Sequence, residues 1–200
     1  MSASIAGAGN GDRYDDPQAL ENAIELHDRG VEGSEAAVDK AIEALDALLD
    51  KDPENELARA YLGSAYTLKA RDAALWRKRG WVEKGIETLD TAVQGAPANS
   101  EVRLVRAINA YNLPRMAGRY DLAAEDFELL LESLDQDADS FEPAFKRAVF
   151  FHAGAFALKE NENKRAVSLL EKAGAVEGTT RLADEIESML RLARNRVRNL

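Results

Sequence analysis

The chain has 200 residues, of which 46% are hydrophobic and 31% charged, and its formal net charge is -10. This length and balance predict a soluble globular protein of one large domain or two small ones. Cysteine is absent and only two histidines occur, which excludes disulfides, thiolate metal sites and a cysteine nucleophile. We therefore expect no catalytic site, no metal and no cofactor.

Charge is laid out unevenly along the chain. Residues 1–57 carry 15 acidic and four basic side chains, whereas residues 58–120 carry 11 basic and five acidic ones. Residues 121–143 hold nine acidic side chains and no basic one, and residues 144–200 hold 11 basic and seven acidic ones. We expect these segments to neutralise one another in the fold. Because phosphate repels an acidic chain, nucleic acid is not an expected partner.

Residues 1–16 are predicted to form a flexible N-terminal tail. They lack the basic start and apolar core of a secretion signal, and their glycines do not have the spacing of a dinucleotide-binding loop. No apolar run in the chain approaches the roughly 18 residues that a membrane helix needs. Together with the absence of cysteine, these features favour the cytoplasm.

From Pro17 onward, apolar residues recur every three or four positions, which is typical of helices that bury one face. Such stripes run through residues 38–49, 82–93, 123–134, 166–173 and 182–200. Turn-forming residues interrupt the pattern at 30–33, 52–55, 80, 95–99, 113–118, 136–140, 161–163 and 178–179. We therefore predict about nine helices, arranged as antiparallel pairs with one final helix that Thr179 or Thr180 caps.

An internal repeat supports this architecture. Residues 40–59 and 84–103 share eight identities in twenty aligned positions, including a Pro-x-Asn turn between two helices. Proline ends the first helix of the unit, and Asn55 or Asn99 is placed to cap the second. The arginines at the equivalent positions 59 and 103 are either internal struts paired with Glu43, Glu87 or Glu125, or ligands for a partner's carboxylate.

Three motifs resemble the tetratricopeptide repeat (TPR) family. Residues 61–66, Tyr-Leu-Gly-Ser-Ala-Tyr, are similar to the family's first helix, and residues 118–123 are similar to its inter-helix turn and second helix. Gly154 and Ala166 have the usual spacing of 12. The resemblance implies an all-α solenoid of about four TPR-like hairpins over residues 17–178, with residues 179–200 as a capping helix. Because the 44-residue offset exceeds the family's 34, extra length is expected at 71–80 and 112–117, and a HEAT-like or other α-solenoid stays open.

The resemblance implies a non-catalytic scaffold that binds a protein or peptide in a concave groove lined by first helices. In the central repeat the candidate contact residues are Arg103, Leu104, Arg106, Ile108, Tyr111 and Asn112. Tyr111→Ala is expected to weaken binding and leave the fold intact. The alternative function is a structural self-assembly module, a homo-oligomer in which acidic and basic segments of neighbouring copies meet.

A second candidate surface lies in residues 76–81, which combine two tryptophans with Arg77, Lys78 and Arg79. This segment is expected in the extra length between two helices. In one interpretation, Trp81 anchors the following helix and the three basic side chains cover the acidic first segment. In the other, the two tryptophans and the three basic side chains contact a protein partner, a nucleobase or a lipid.

Motifs of catalysis and metal binding are missing. His27 is expected to be exposed and His152 to pack between helices, and neither belongs to a zinc or di-iron pattern. The acidic run over residues 121–139 lacks the spacing of a calcium loop. We expect it to form a solvated face.

Overall fold

A computed structural model describes residues 17–180 and 182–199. This part of the chain contains nine α-helices and two short 3-10 helices, and no strand. The α-helices are α1 Pro17–Val31, α2 Glu35–Lys51, α3 Glu56–Asp72, α4 Leu75–Gly95, α5 Ser100–Asn112, α6 Tyr120–Gln136, α7 Pro143–Lys159, α8 Asn163–Ala175 and α9 Ala183–Arg198. The all-α prediction and the number of helices are confirmed, whereas the predicted N-terminal tail lies outside the described residues.

The chain divides into two compact units, and the boundary falls between Leu113 and Pro114. In the first unit, α3 packs against α1, α2, α4 and α5, and α1 also packs against α2. In the second unit, α7 packs against α6, α8 and α9, and α8 packs against α9. That residues 17–178 form one repeat domain, with 179–200 as its cap, stays a prediction.

The repeated Pro-x-Asn turns start their helices as predicted. The side-chain oxygen of Asn55 accepts the backbone N–H of Ala58 at 2.9 Å. Asn99 accepts the backbone N–H groups of Glu101 at 2.9 Å and Val102 at 3.2 Å. Each asparagine thus satisfies amide donors that the first turn of a helix leaves without a partner.

Small residues set the distance between paired helices. A Cβ atom built on Gly63 of α3 would lie 2.8 Å from Leu89 Cγ and 2.9 Å from the carbonyl oxygen of Gly85, both on α4. In the second unit, a Cβ on Gly154 of α7 would lie 2.9 Å from Leu170 Cγ on α8. The predicted role of Gly63 and Gly154 in close helix approach is confirmed.

Two predicted helix boundaries are wrong. Gly80 lies inside α4, and the break comes earlier, between Asp72 and Leu75. A single exposed glycine costs a helix only about 1 kcal/mol, which the packing of the rest of α4 against α3 overcomes. Neither Thr179 nor Thr180 is the capping residue of the last helix: the residue before α9 is Leu182, in a left-handed conformation, and it makes no side-chain cap hydrogen bond.

None of the helices in the described part of the chain is both long and apolar enough to cross a membrane.

Candidate functional site

The predicted groove residues on α5 occupy very different environments. Leu104 is 1% exposed and Tyr111 is 5% exposed, so the expectation that both stand on an open surface is wrong. Ile108 is half-buried and Asn112 is exposed. A stripe of apolar residues does not tell how many sides of a helix are covered, and more of α5 is covered than its pattern suggested. Partner binding by this helix stays a prediction, with Ile108 and Asn112 as its accessible members.

The two repeat-equivalent arginines fasten turns. Arg103 Nε donates to the carbonyl oxygen of Pro97 at 2.7 Å. At the equivalent place, Arg59 donates to the carbonyl oxygen of Pro53 and pairs with Glu56 at 2.7 Å. The acids predicted as partners of internal struts are therefore not the ones used by Arg59, and its guanidinium closes the turn from which its own helix starts.

Arg106 is the buried cation among the α5 candidates. Its exposed fraction is 9%, and its Nη1 lies 3.4 Å from Asp90 Oδ1 on α4. Removing Asp90 would take one compensating charge away from a buried guanidinium. This contact gives Arg106 a structural role within the first unit.

The start of α4 carries the most exposed large apolar side chains among the described residues of the first unit. Leu75 and Trp76 are each 82% exposed, and Arg77 and Arg79 beside them are exposed as well. Lys78 Nζ donates to the carbonyl oxygen of Arg71 at 2.9 Å, which ties this turn to the end of α3. The sequence had predicted a connection between helices at this segment. That prediction is wrong, because the segment is part of helix α4.

The two tryptophans of this segment have opposite roles. They are five positions apart on the helix, which places their side chains about 140° apart around the axis. Trp81 packs against Tyr66 of α3, with ring centroids 5.7 Å apart, and Lys84 Nζ lies 3.9 Å above the same tyrosine ring. The prediction that Trp81 anchors α4 is confirmed, and Trp76 is left facing outward.

Two side-chain polar contacts join α3 to α1 and to α5, and the sequence did not reveal them. His27 is 7% exposed, contrary to expectation, and its Nε2 lies 2.7 Å from Ser64 Oγ. Thr67 Oγ1 lies 2.7 Å from Asn109 Oδ1, and Asn109 Nδ2 donates to the carbonyl oxygen of Val105 at 2.9 Å. Ser64 is itself only 5% exposed. Each contact opposes a shift of one helix along its neighbour, because a buried polar group without its partner is costly.

Comparison with solved structures shows the fold. The chain superposes on a thermophilic TPR protein of Thermus thermophilus with a TM-score of 0.63 and 20% identity, over 88% of this chain and 84% of that one. The chain has a TPR-like fold. A TPR protein of Parabacteroides merdae also matches, at 18% identity and a TM-score of 0.42, over 86% of this chain and 71% of that one.

Sequence comparisons add nothing to this assignment. No family model matches the TPR-like chain, and no curated protein matches it. The resemblance that the sequence motifs predicted is thus supported by the arrangement of the helices.

The acidic run of the TPR-like chain forms a solvated face with one exception. Asp121, Glu125, Glu128 and Glu132 are exposed, as predicted, but Asp126 is fully buried on the opposite side of α6. Among residues 17–180 and 182–199, no group of three or more histidines or acids is placed to hold a metal ion.

Tyr111 gives the TPR-like chain a predicted pH dependence. Burial raises its pKa from 10.0 to about 12, against the smaller opposing effect of a hydrogen bond with Asn112. The unfolded chain loses this proton near pH 10, whereas the folded chain keeps it until about pH 12, so stability falls as the pH rises through this window. Between pH 9 and pH 11 we expect the wild type to lose on the order of 1 kcal/mol of unfolding free energy that Tyr111→Phe does not lose.

Urea denaturation of both proteins at the two pH values measures this difference. Other tyrosines and lysines titrate in the same way in both proteins, so they cancel. If the two proteins lose the same stability, the environment of Tyr111 does not oppose its ionisation.

Proposed function

We propose that this chain is a non-catalytic scaffold that binds a protein or peptide partner, and that the exposed start of α4 is a contact surface. The observation that carries the proposal is the exposure of Leu75 and Trp76, which are adjacent and each 82% exposed. Protein interfaces are enriched in tryptophan and arginine, and a few such residues supply most of the binding energy. The TPR-like fold supports the scaffold role in general.

The surroundings of this pair favour a protein partner. Trp76 stands on a helix that is held to α3 by Trp81 and Lys78, so little ordering is needed on binding. Arg77 and Arg79 flank the pair and favour carboxylates on the partner, although Arg79 already pairs with Glu83 at 2.7 Å. Ile108 and Asn112 of α5 extend the candidate contacts to the predicted groove.

Trp76→Ala tests the proposal. Partners are captured from an extract of the native host on the immobilised chain and identified by mass spectrometry, and their affinity is then measured with purified protein. We expect Trp76→Ala to weaken binding by about 1–3 kcal/mol, as for an interface hot spot, and to change the unfolding free energy by no more than about 0.5 kcal/mol. Leu192→Ala is a matched control, since Leu192 is an exposed leucine on α9 of the second unit.

Two results would count against this surface. Unchanged affinity in Trp76→Ala, together with loss of binding in Asn112→Ala, would move the contact to α5. A light-scattering mass above that of one chain, falling as salt is added, would favour the alternative of self-assembly.

A further inference from the structure

A groove runs between α8 and α9 in the second unit, with a volume of about 640 Å³. Its apolar lining consists of Val167, Leu190 and Val197, which are all half-buried. The groove exists because α9 turns its buried residues, Ile186 and Ala193, toward the core and leaves Leu190 and Val197 at the edge of that contact.

Cations dominate the rim of this groove. Four basic side chains line it against one carboxylate, that of Glu187. Glu187 pairs with Arg191 at 3.2 Å, and Glu171 pairs with Arg194 at 2.8 Å. Within the described residues no carboxylate pairs with the other two basic groups, Lys164 and Arg198. The guanidinium of Arg198 donates instead to the side-chain oxygen of Asn195.

We propose that this groove binds an acidic, amphipathic segment of a partner protein. Leu190 and Val197 are seven residues apart on α9, which corresponds to about 10 Å along the helix. Two apolar side chains that lie two turns apart on a bound helix have the same separation. Arg191 and Arg198 are separated by the same distance along α9. The positive charge is therefore spread over a length that suits several carboxylates along a peptide and not one anionic head group. The site is separate from the start of α4, and it extends the proposed function to a second surface.

A second copy of this chain is a poorer occupant. The most acidic helix, α6, has its large apolar side chains Phe127, Leu130 and Leu134 buried. Its other leucines, at positions 122, 129 and 131, are only half-buried. It therefore offers carboxylates without a fully exposed apolar side chain to insert into the groove. A segment of another protein supplies both.

A random library of 16-residue peptides displayed on phage and selected on the full chain tests the proposal. We expect the selected peptides to be enriched in Asp and Glu around Leu, Ile or Phe. The tightest peptide is then synthesised, and its affinity is measured by fluorescence anisotropy. We expect Lys164→Glu combined with Arg198→Glu to weaken binding about tenfold, which corresponds to about 1.4 kcal/mol, and added salt to weaken it further.

Lys40→Glu combined with Lys51→Glu is the matched control, because both lysines are exposed on α2 of the first unit, outside either proposed surface, and the change of charge is the same. Equal loss of affinity in this control would overturn the proposal, since it would show attraction to the whole chain. Selected peptides without acidic enrichment, or peptides indifferent to the change at Lys164 and Arg198, would overturn it as well.

The remaining outcomes separate the two surfaces. A concentration-dependent dimer that the Lys164 and Arg198 change abolishes would overturn the peptide proposal in favour of a second copy. Failure of the peptide selection, combined with loss of a captured partner in Trp76→Ala, would reject this groove and leave the proposed function at α4 standing.

Discussion

Tyr111→Ala is expected to lower the free energy of unfolding by about 3–5 kcal/mol. The tyrosine is 5% exposed, so removal of its ring leaves a cavity in addition to the loss of buried apolar area. Urea denaturation followed by circular dichroism at 222 nm measures the change. A loss of this size greatly reduces the folded fraction of the variant. Binding by Tyr111→Ala is therefore to be measured only under conditions in which the variant remains folded.

Two neighbouring substitutions control for this result. Tyr111→Phe keeps the ring and is expected to cost far less than the alanine variant. Asn112→Ala changes an exposed residue and is expected to cost less than about 1 kcal/mol, including the hydrogen bond to Tyr111. If Tyr111→Ala keeps full stability and loses a partner, the original placement of this residue on a binding surface was correct.

Gly63→Ala is expected to destabilise the chain by about 1–3 kcal/mol, although alanine is the better helix former. The added methyl would lie 2.9 Å from the backbone nitrogen of Leu89 as well as 2.8 Å from its Cγ atom, and a backbone atom cannot move aside as a flexible side chain does. Helices α3 and α4 must therefore separate along their contact. The measurement is again the urea midpoint and its slope.

Gly80→Ala, in α4, is the control with the opposite expected sign. Nothing lies within 4 Å of a Cβ atom built on Gly80, and its backbone is helical. Alanine there is expected to stabilise the chain by about 0.5–1 kcal/mol, because it restricts the unfolded chain and favours the helix. Stabilisation by both alanine variants would mean that α3 and α4 are not in close contact at Gly63.

Local signals in the sequence were sufficient for much of the fold. The spacing of apolar residues located the helices, and Asn55 and Asn99 marked two of their starts, because a capping side chain acts within one turn of its own position. Gly63 indicated a close helix contact, since a small residue within an apolar stripe leaves room for a neighbour. These features depend on residues that are near one another in the chain.

Features that depend on distant residues could not be predicted in the same way. The burial of Tyr111 and the pairing of Arg106 with Asp90 depend on which helices cover α5 and from which side. The contact of His27 with Ser64 joins residues 37 positions apart, and no periodicity encodes it. The groove between α8 and α9 was missed because half-buried Leu190 and Val197 belong to the same stripe as the core residues.

The arginine at each repeated turn has a consequence for how such a chain can grow. Arg59 and Arg103 bond the carbonyl oxygens of Pro53 and Pro97, six residues earlier in the same stretch of chain. The turn is therefore held by the first turn of the helix that follows it, with no contribution to this bond from other helices. A duplicated hairpin would keep the hydrogen bond that holds its turn. The residues on its outer faces could then change during evolution and bind new partners.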